Sequence, residues 1–178
     1  MRATESALIV PVPEAEPVVA PYREALDRAA AWGVPAHVTV LYPFLPPEEL
    51  TSEVLAAVRE VVAAVPPSDV VFDAVRWFGD GVVWLDPSPS GVFRRLTLAL
   101  WNRFPQAPPY AGEHGDDVTP HLTVGHDAPV ETLRVAADAV AGMLPVHAAV
   151  RAVDLVAGSR EPGSWRTLAT FDLAPGSG

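Results

Sequence analysis

Two short segments carry residue types suited to proton transfer. His37-Val38-Thr39-Val40 and His121-Leu122-Thr123-Val124 share the pattern His-x-Thr-Val, and their histidines stand 84 residues apart. An imidazole exchanges its proton near neutral pH, because its unperturbed pKa is about 6.5. Two imidazoles on opposite sides of one group can divide the work. A neutral ring takes a proton from an attacking water or hydroxyl, and a protonated ring gives one to the leaving oxygen. Threonine hydroxyls beside them can donate to anionic oxygens held between the rings. Base, acid and donors to the non-bridging oxygens are what hydrolysis of a phosphodiester requires, and no metal is needed if both rings serve.

Composition narrows the alternatives. The chain has 178 residues and a net charge of −10, from 12 basic and 22 acidic side chains. Every basic residue is arginine, and cysteine is absent. Without lysine there is no phosphate-loop lysine and no Schiff base; without cysteine there is no thiol nucleophile, thiolate zinc site or disulfide. An acidic chain repels a long nucleic-acid strand but still admits a small anion held by a few arginines. Arg94 and Arg95 are the adjacent pair, and their helix is expected to lie away from the cleft. No apolar run reaches the roughly 18 residues of a membrane span. Residues 7–10 are cut short by Pro11 and Pro13, too soon for a secretory signal, so a soluble cytoplasmic protein, favoured as a monomer, is expected.

The elements that must position the two motifs follow from periodicity and from proline. Residues 7–12 read as a buried strand, and Pro21 as the start of a helix that Gly33 and Pro35 end. Segment 37–42 is β-branched and alternating, hence a strand. Pro46 and Pro47 open a helix with the stripe Leu50, Val54, Val58, Val61, Val62, Val65, stopped by Pro66 and Pro67. Segments 69–78 and 81–85 read as a hairpin around Gly79-Asp80-Gly81. Phe93, Leu96, Leu100 and Phe104 mark the next helix, and 105–119 a proline-rich loop. Then come a strand at 121–124, a helix opened by Pro129, and a final pair of strands at 146–157 and 165–173. Strands alternate faces, so His37 and Thr39 share one face, as do His121 and Thr123, with Val38, Val40, Leu122 and Val124 on the other.

The landmarks repeat: histidine, following helix and helix-ending proline recur at similar spacing, about 36–86 and 120–173. We expect one bilobal α+β domain over 1–173 with a flexible tail at 174–178. Two pseudosymmetric lobes of antiparallel sheet, with helices outside, would bring the paired motifs together at a central cleft.

The copies H-V-T-V-L-Y-P-F from His37 and P-H-L-T-V-G-H from Pro120 resemble the two-histidine (2H) phosphoesterase superfamily, which includes 2′-5′ RNA ligase and RNA 2′,3′-cyclic phosphodiesterase-like proteins. The resemblance covers nearly the whole chain. It implies a bilobal fold with sheets lining the cleft and metal-independent cleavage of a 2′,3′-cyclic or 2′-5′-linked phosphodiester. It also implies His37 and His121 as the catalytic pair, Thr39 and Thr123 as phosphate contacts, no cofactor, and a small nucleotide or RNA end as partner. The motif does not say which histidine is the base.

Further candidates are weighed against plainer roles. Tyr42 and Phe44 could stack on a base or pack the strand end; Tyr110 could cover the cleft or anchor its loop. Arg160, on the 158–164 turn, could bind substrate or be solvated. Trp84 and Trp165 read as core. His126, an odd number of residues after His121, is expected on the opposite face; His114 reads as solvated, and His147 as a partly buried strand residue. Rival readings are a metallohydrolase using His114, Asp116, Asp117, His121, His126 and Asp127, a serine hydrolase (for which no G-x-S-x-G is present), a nucleotide- or partner-binding protein with little catalysis, and a ligase working in the reverse direction.

Overall fold

The computed structural model describes residues 2–113 and 118–175. His114, Asp116 and Asp117 of the metallohydrolase reading, and residues 176–178 of the tail, lie outside them. The strands are β1 (Glu5–Pro11), β2 (His37–Leu41), β3 (Ser68–Phe78), β4 (Val82–Ser88), β5 (Leu122–His126), β6 (Val146–Val150), β7 (Ala152–Gly158) and β8 (Arg166–Asp172). The helices are α1 (Glu16–Leu26), α2 (Arg28–Trp32), α3 (Ser52–Ala63), α4 (Gly91–Arg103) and α5 (Val130–Ala141).

Local chemistry explains most of these limits. The Thr51 side chain caps α3 by accepting from Val54 N, and Asp27 caps α2 by accepting from Ala29 N at 3.0 Å. Gly33 closes α2 with φ +99, a conformation in which a side chain would be strained. Pro21 does not start α1; it lies inside a helix that begins at Glu16 with another proline in its first turn. The bond to the carbonyl one turn back is lost there and the ring crowds that carbonyl, and packing of the helix outweighs both.

The strands form two antiparallel four-stranded sheets, β2-β1-β7-β8 and β5-β4-β3-β6. Segment 146–157 is therefore not one strand. It splits at Arg151 into β6, which pairs with β3, and β7, which pairs with β1 and β8. Uninterrupted β-propensity hides this switch, because one residue suffices to pass from one sheet to the other. Helices α3 and α4 pack against the first sheet, and α1 and α5 against the second. The main core contains Leu8, Val10, Val38, Val40, Phe72, Leu85, Phe93, Leu122, Val124 and Leu133. The cleft side of the first sheet carries a smaller cluster of Ala7, Ile9, Val34, Val156 and Trp165. Burial on both faces of β1 accounts for its near-continuous apolar sequence. Among the described residues no helix is long and apolar enough to cross a membrane.

Candidate active site

Each motif strand buries its Val or Leu in the main core and turns its His and Thr outward, as alternation requires. The two outward faces meet. One cavity of about 390 Å³ is lined by His37, Thr39, His121 and Thr123, with Tyr42 and Tyr110 at its wall.

The two histidines are held alike. His37 Nδ1 lies 2.7 Å from the Pro35 carbonyl, and His121 Nδ1 lies 2.8 Å from the Thr119 carbonyl. A carbonyl only accepts, so Nδ1 carries the proton in both rings and Nε2 of the neutral ring is the nitrogen that can accept one. Burial, reinforced by the positive charge of Arg23, pushes His37 down to about 4, so it is neutral at pH 7. His121 sits in an aromatic cage. Phe78 and Trp84 meet it edge-on, at 5.1 and 5.9 Å between ring centroids, and Tyr110 lies nearly parallel to it at 6.4 Å. Tyr110 is also hydrogen-bonded to Thr39, and burial raises its phenol to about 12, so it stays protonated. Its backbone N–H donates to the Tyr42 carbonyl at 2.6 Å, which fixes the loop over the cavity.

Tyr42 donates to Glu5 Oε2 at 2.6 Å and keeps its ring at the wall. Arg160 does not reach the cavity. It is 78% exposed, with Nε 3.4 Å from Glu5 Oε1, because Glu5 offers the nearest compensating charge. Phe44 packs edge-on to Phe104 in the core. Trp84 is buried, stacked on Phe78. Trp165 is buried as well, yet its ring walls the cavity beside Trp32, while its indole N–H donates to the Ser159 carbonyl. His147 is exposed on β6 rather than partly buried. Arg94, expected to lie away from the cleft with its helix, instead borders a groove of about 520 Å³ that also contains Thr39.

The main residue that sequence reasoning misplaced is His126. Strict alternation puts it opposite His121, but the pairing of β4 with β5 slips between Val83↔Gly125 and Trp84↔Thr123. That bulge at Val124 restores His126 to the cleft face and turns Gly125 into the core. A Cβ on Gly125 would lie 2.8 Å from Leu26 Cβ, so the backbone approaches α1 too closely for any side chain. The first motif strand slips at the matching place, between Leu8↔Leu41 and Ile9↔Thr39, and this delivers Tyr42 to the cleft five residues after His37. A glycine two residues after the motif threonine was the available sign of such a bulge. Among the described residues, no group of three His, Asp or Glu side chains is placed to hold a metal ion.

Two antiparallel sheets, each delivering a His-x-Thr strand to one cleft, define a two-lobed α+β fold with a paired-histidine site. The chain belongs to the 2′-5′ RNA ligase superfamily, whose family model matches residues 10–162. A Geobacillus kaustophilus protein provisionally named a phosphoesterase is 28% identical over 110 residues, and the chain spans about 60% of that relative's length. Among solved structures, TT0787 of Thermus thermophilus is similar with a TM-score of 0.63 and 23% identity, over 98% of this chain and 100% of that one. LigT of Escherichia coli, in complex with 3′-AMP, is similar with a TM-score of 0.60 and 20% identity over the same shares. The LigT complex with NADP+ gives a TM-score of 0.59 and 18% identity, again over 98% of this chain and 100% of that one.

Proposed function

We propose that the protein is a phosphoesterase that hydrolyses a 2′,3′-cyclic or 2′-5′-linked phosphodiester of a small nucleotide or RNA end. The observation that carries this reading is the matched pair of imidazoles, each with Nδ1 held by a carbonyl two residues back, on one cavity with two threonine hydroxyls. Its depressed pKa keeps His37 neutral, the form that can accept a proton, and on that ground we assign it as the base. Water attacks phosphorus as its proton passes to His37 Nε2. The bond to the leaving ribose oxygen breaks as His121, in its imidazolium form, donates from Nε2. Thr39 and Thr123 donate to the non-bridging oxygens, and no metal ion takes part. The family, and the nucleotides 3′-AMP and NADP+ that the LigT complexes carry, support a small nucleotide as substrate. The cavity's size and its Trp32, Tyr42 and Trp165 wall leave room for a nucleoside beside the phosphate.

The test is a panel of 2′,3′-cyclic mononucleotides, 2′-5′ dinucleotides and ADP-ribose cyclic phosphate, assayed with EDTA and scored by the position of the product phosphate. Turnover that His37→Ala and His121→Ala each abolish supports the reading. Nucleotide binding with no turnover on any substrate would replace it with a binding role.

A further inference from the structure

His126 faces a carboxylate at both ring nitrogens. Nε2 lies 3.3 Å from Asp27 Oδ1, and Nδ1 lies 3.0 Å from Asp127 Oδ2. The row continues at each end. Buried Asp27 accepts from Arg23 Nε at 2.9 Å, and exposed Asp127 accepts from Arg28. Arg23, Asp27, His126, Asp127 and Arg28 thus alternate in sign from the core to the surface. Carboxylates accept and do not donate, so satisfying both requires an N–H at each ring nitrogen, which is the imidazolium. The row then holds three cations and two anions, and loss of the His126 proton takes it from one net positive charge to none. Asp27, Arg28 and His126 line the same cavity as His37 and His121.

We propose that His126 is the titrating cation of the cleft, a positioning residue that tightens binding of the substrate's anionic group while protonated and exchanges no proton in the reaction. The proposal rests on the phosphodiester reading above. Both of its nitrogens face carboxylates, which separates it from His37 and His121, whose Nδ1 atoms are each held by a backbone carbonyl. The hydrogen bond to Asp27 raises the His126 pKa above the ordinary imidazole value, Asp127 adds to this, and burial opposes it. Hydrogen bonding to His126 and the charge of Arg23 hold Asp27 below the usual carboxylate range, although its burial opposes this. The groups facing His126 are these two carboxylates with Arg23 and Arg28 behind them, and His37, His121 and Tyr110 across the cavity. Its partner on β4, Val82, carries no charge. At the matching place on the first motif strand stands Tyr42, a neutral side chain bonded to Glu5, so the second motif alone carries an imidazole five residues after its catalytic-position histidine. On a chain of net charge −10, one cation at the cavity wall offsets the general repulsion of an anion.

Sulfate tests this, since it stays a dianion from pH 5.5 to 9 and is not turned over. Its affinity is measured by calorimetry for the wild type, His126→Gln and His126→Arg, with thermal melts as the folding check. In His126→Gln, binding weakens about tenfold at pH 6 and converges on the wild type at pH 9. In His126→Arg, the charge persists, so sulfate binds more tightly than to the wild type at pH 9; this arm carries the test if the glutamine variant does not fold. Equal affinities at every pH, or one constant offset at every pH, overturn the proposal. Failure of the phosphodiester reading would show separately, as absence of product from the cyclic nucleotides.

Discussion

His37 and His121 make the same bond with the same atom: each Nδ1 is held by the carbonyl two residues earlier, at 2.7 and 2.8 Å. The backbone before each motif thereby sets the tautomer and aims Nε2 into the cleft. A ring without this bond would be free to present either nitrogen.

Replacing either histidine by alanine should lower turnover of a 2′,3′-cyclic nucleotide about 10²- to 10⁴-fold, the usual share of a general acid or base. Circular dichroism and melting should remain close to the wild type, because both rings sit at a cavity wall and not in the main core. Unchanged turnover in His37→Ala would sink the two-histidine mechanism.

The pH profile should show its acid limb well below the ordinary imidazole value. Burial and Arg23 hold His37 at about 4, and it acts as a base only when neutral. Activity therefore falls as pH drops through about 4 and is retained between 4 and 6.5 as far as this group is concerned. A limb in kcat/KM near 6.5 that His37→Ala removes would leave His37 as the base but show that burial and Arg23 do not hold it at about 4.

Tyr110→Phe keeps the ring against His121 and loses the hydrogen bond with Thr39. Steady-state kinetics should show a loss of about threefold to tenfold, the worth of one hydrogen bond. Tyr110→Ala also opens the aromatic cage and should cost more. Equal losses in the two variants would mean that the ring contributes nothing.

Gly125→Ala should destabilise the fold by about 1–3 kcal/mol, the usual cost of overpacking. Its Cβ would stand 2.8 Å from Leu26 Cβ and 3.2 Å from Leu133 Cδ2. Gly81→Ala serves as the control, since nothing lies within 4 Å of a Cβ there. Chemical denaturation of both variants checks this, and a neutral Gly125→Ala would mean that the bulge does not press the backbone against α1.

Much of this architecture was legible because a few residues decide it. Pro66 and Pro67 stop the first motif helix, Gly33 and Pro35 end the segment before it, and alternation alone sorts His37 and Thr39 from Val38 and Val40. Pro46 and Pro47, expected to open that helix, instead lead into a short 3-10 turn over Pro47–Glu49, and Thr51 starts α3 at Ser52, leaving Leu50 outside it. What escaped depends on partners. The side on which His126 emerges is set by a one-residue slip against β4, which the β5 sequence does not encode by itself. The break between β6 and β7 falls on one residue, Arg151, within continuous strand composition. Arg160 is a case of charge: an arginine on a turn finds the nearest carboxylate, and that was Glu5 at the rim, outside the pocket. Trp165 was legible as buried, but burial against a sheet face and burial against a cavity leave the same trace in a sequence.

The ordering of the strands bears on how the molecule is completed during synthesis. All four strands of the β5-β4-β3-β6 sheet lie between Ser68 and Val150, whereas β1 and β2 must wait for β7 and β8. On a ribosome the second sheet can close while the first is still half a sheet, with the Ala7 and Ile9 side of β1 uncovered until Val156 and Trp165 arrive. The cleft, which needs both sheets, is thus the last part of the molecule to acquire its shape, and an interrupted chain would have a folded lobe but no working mouth.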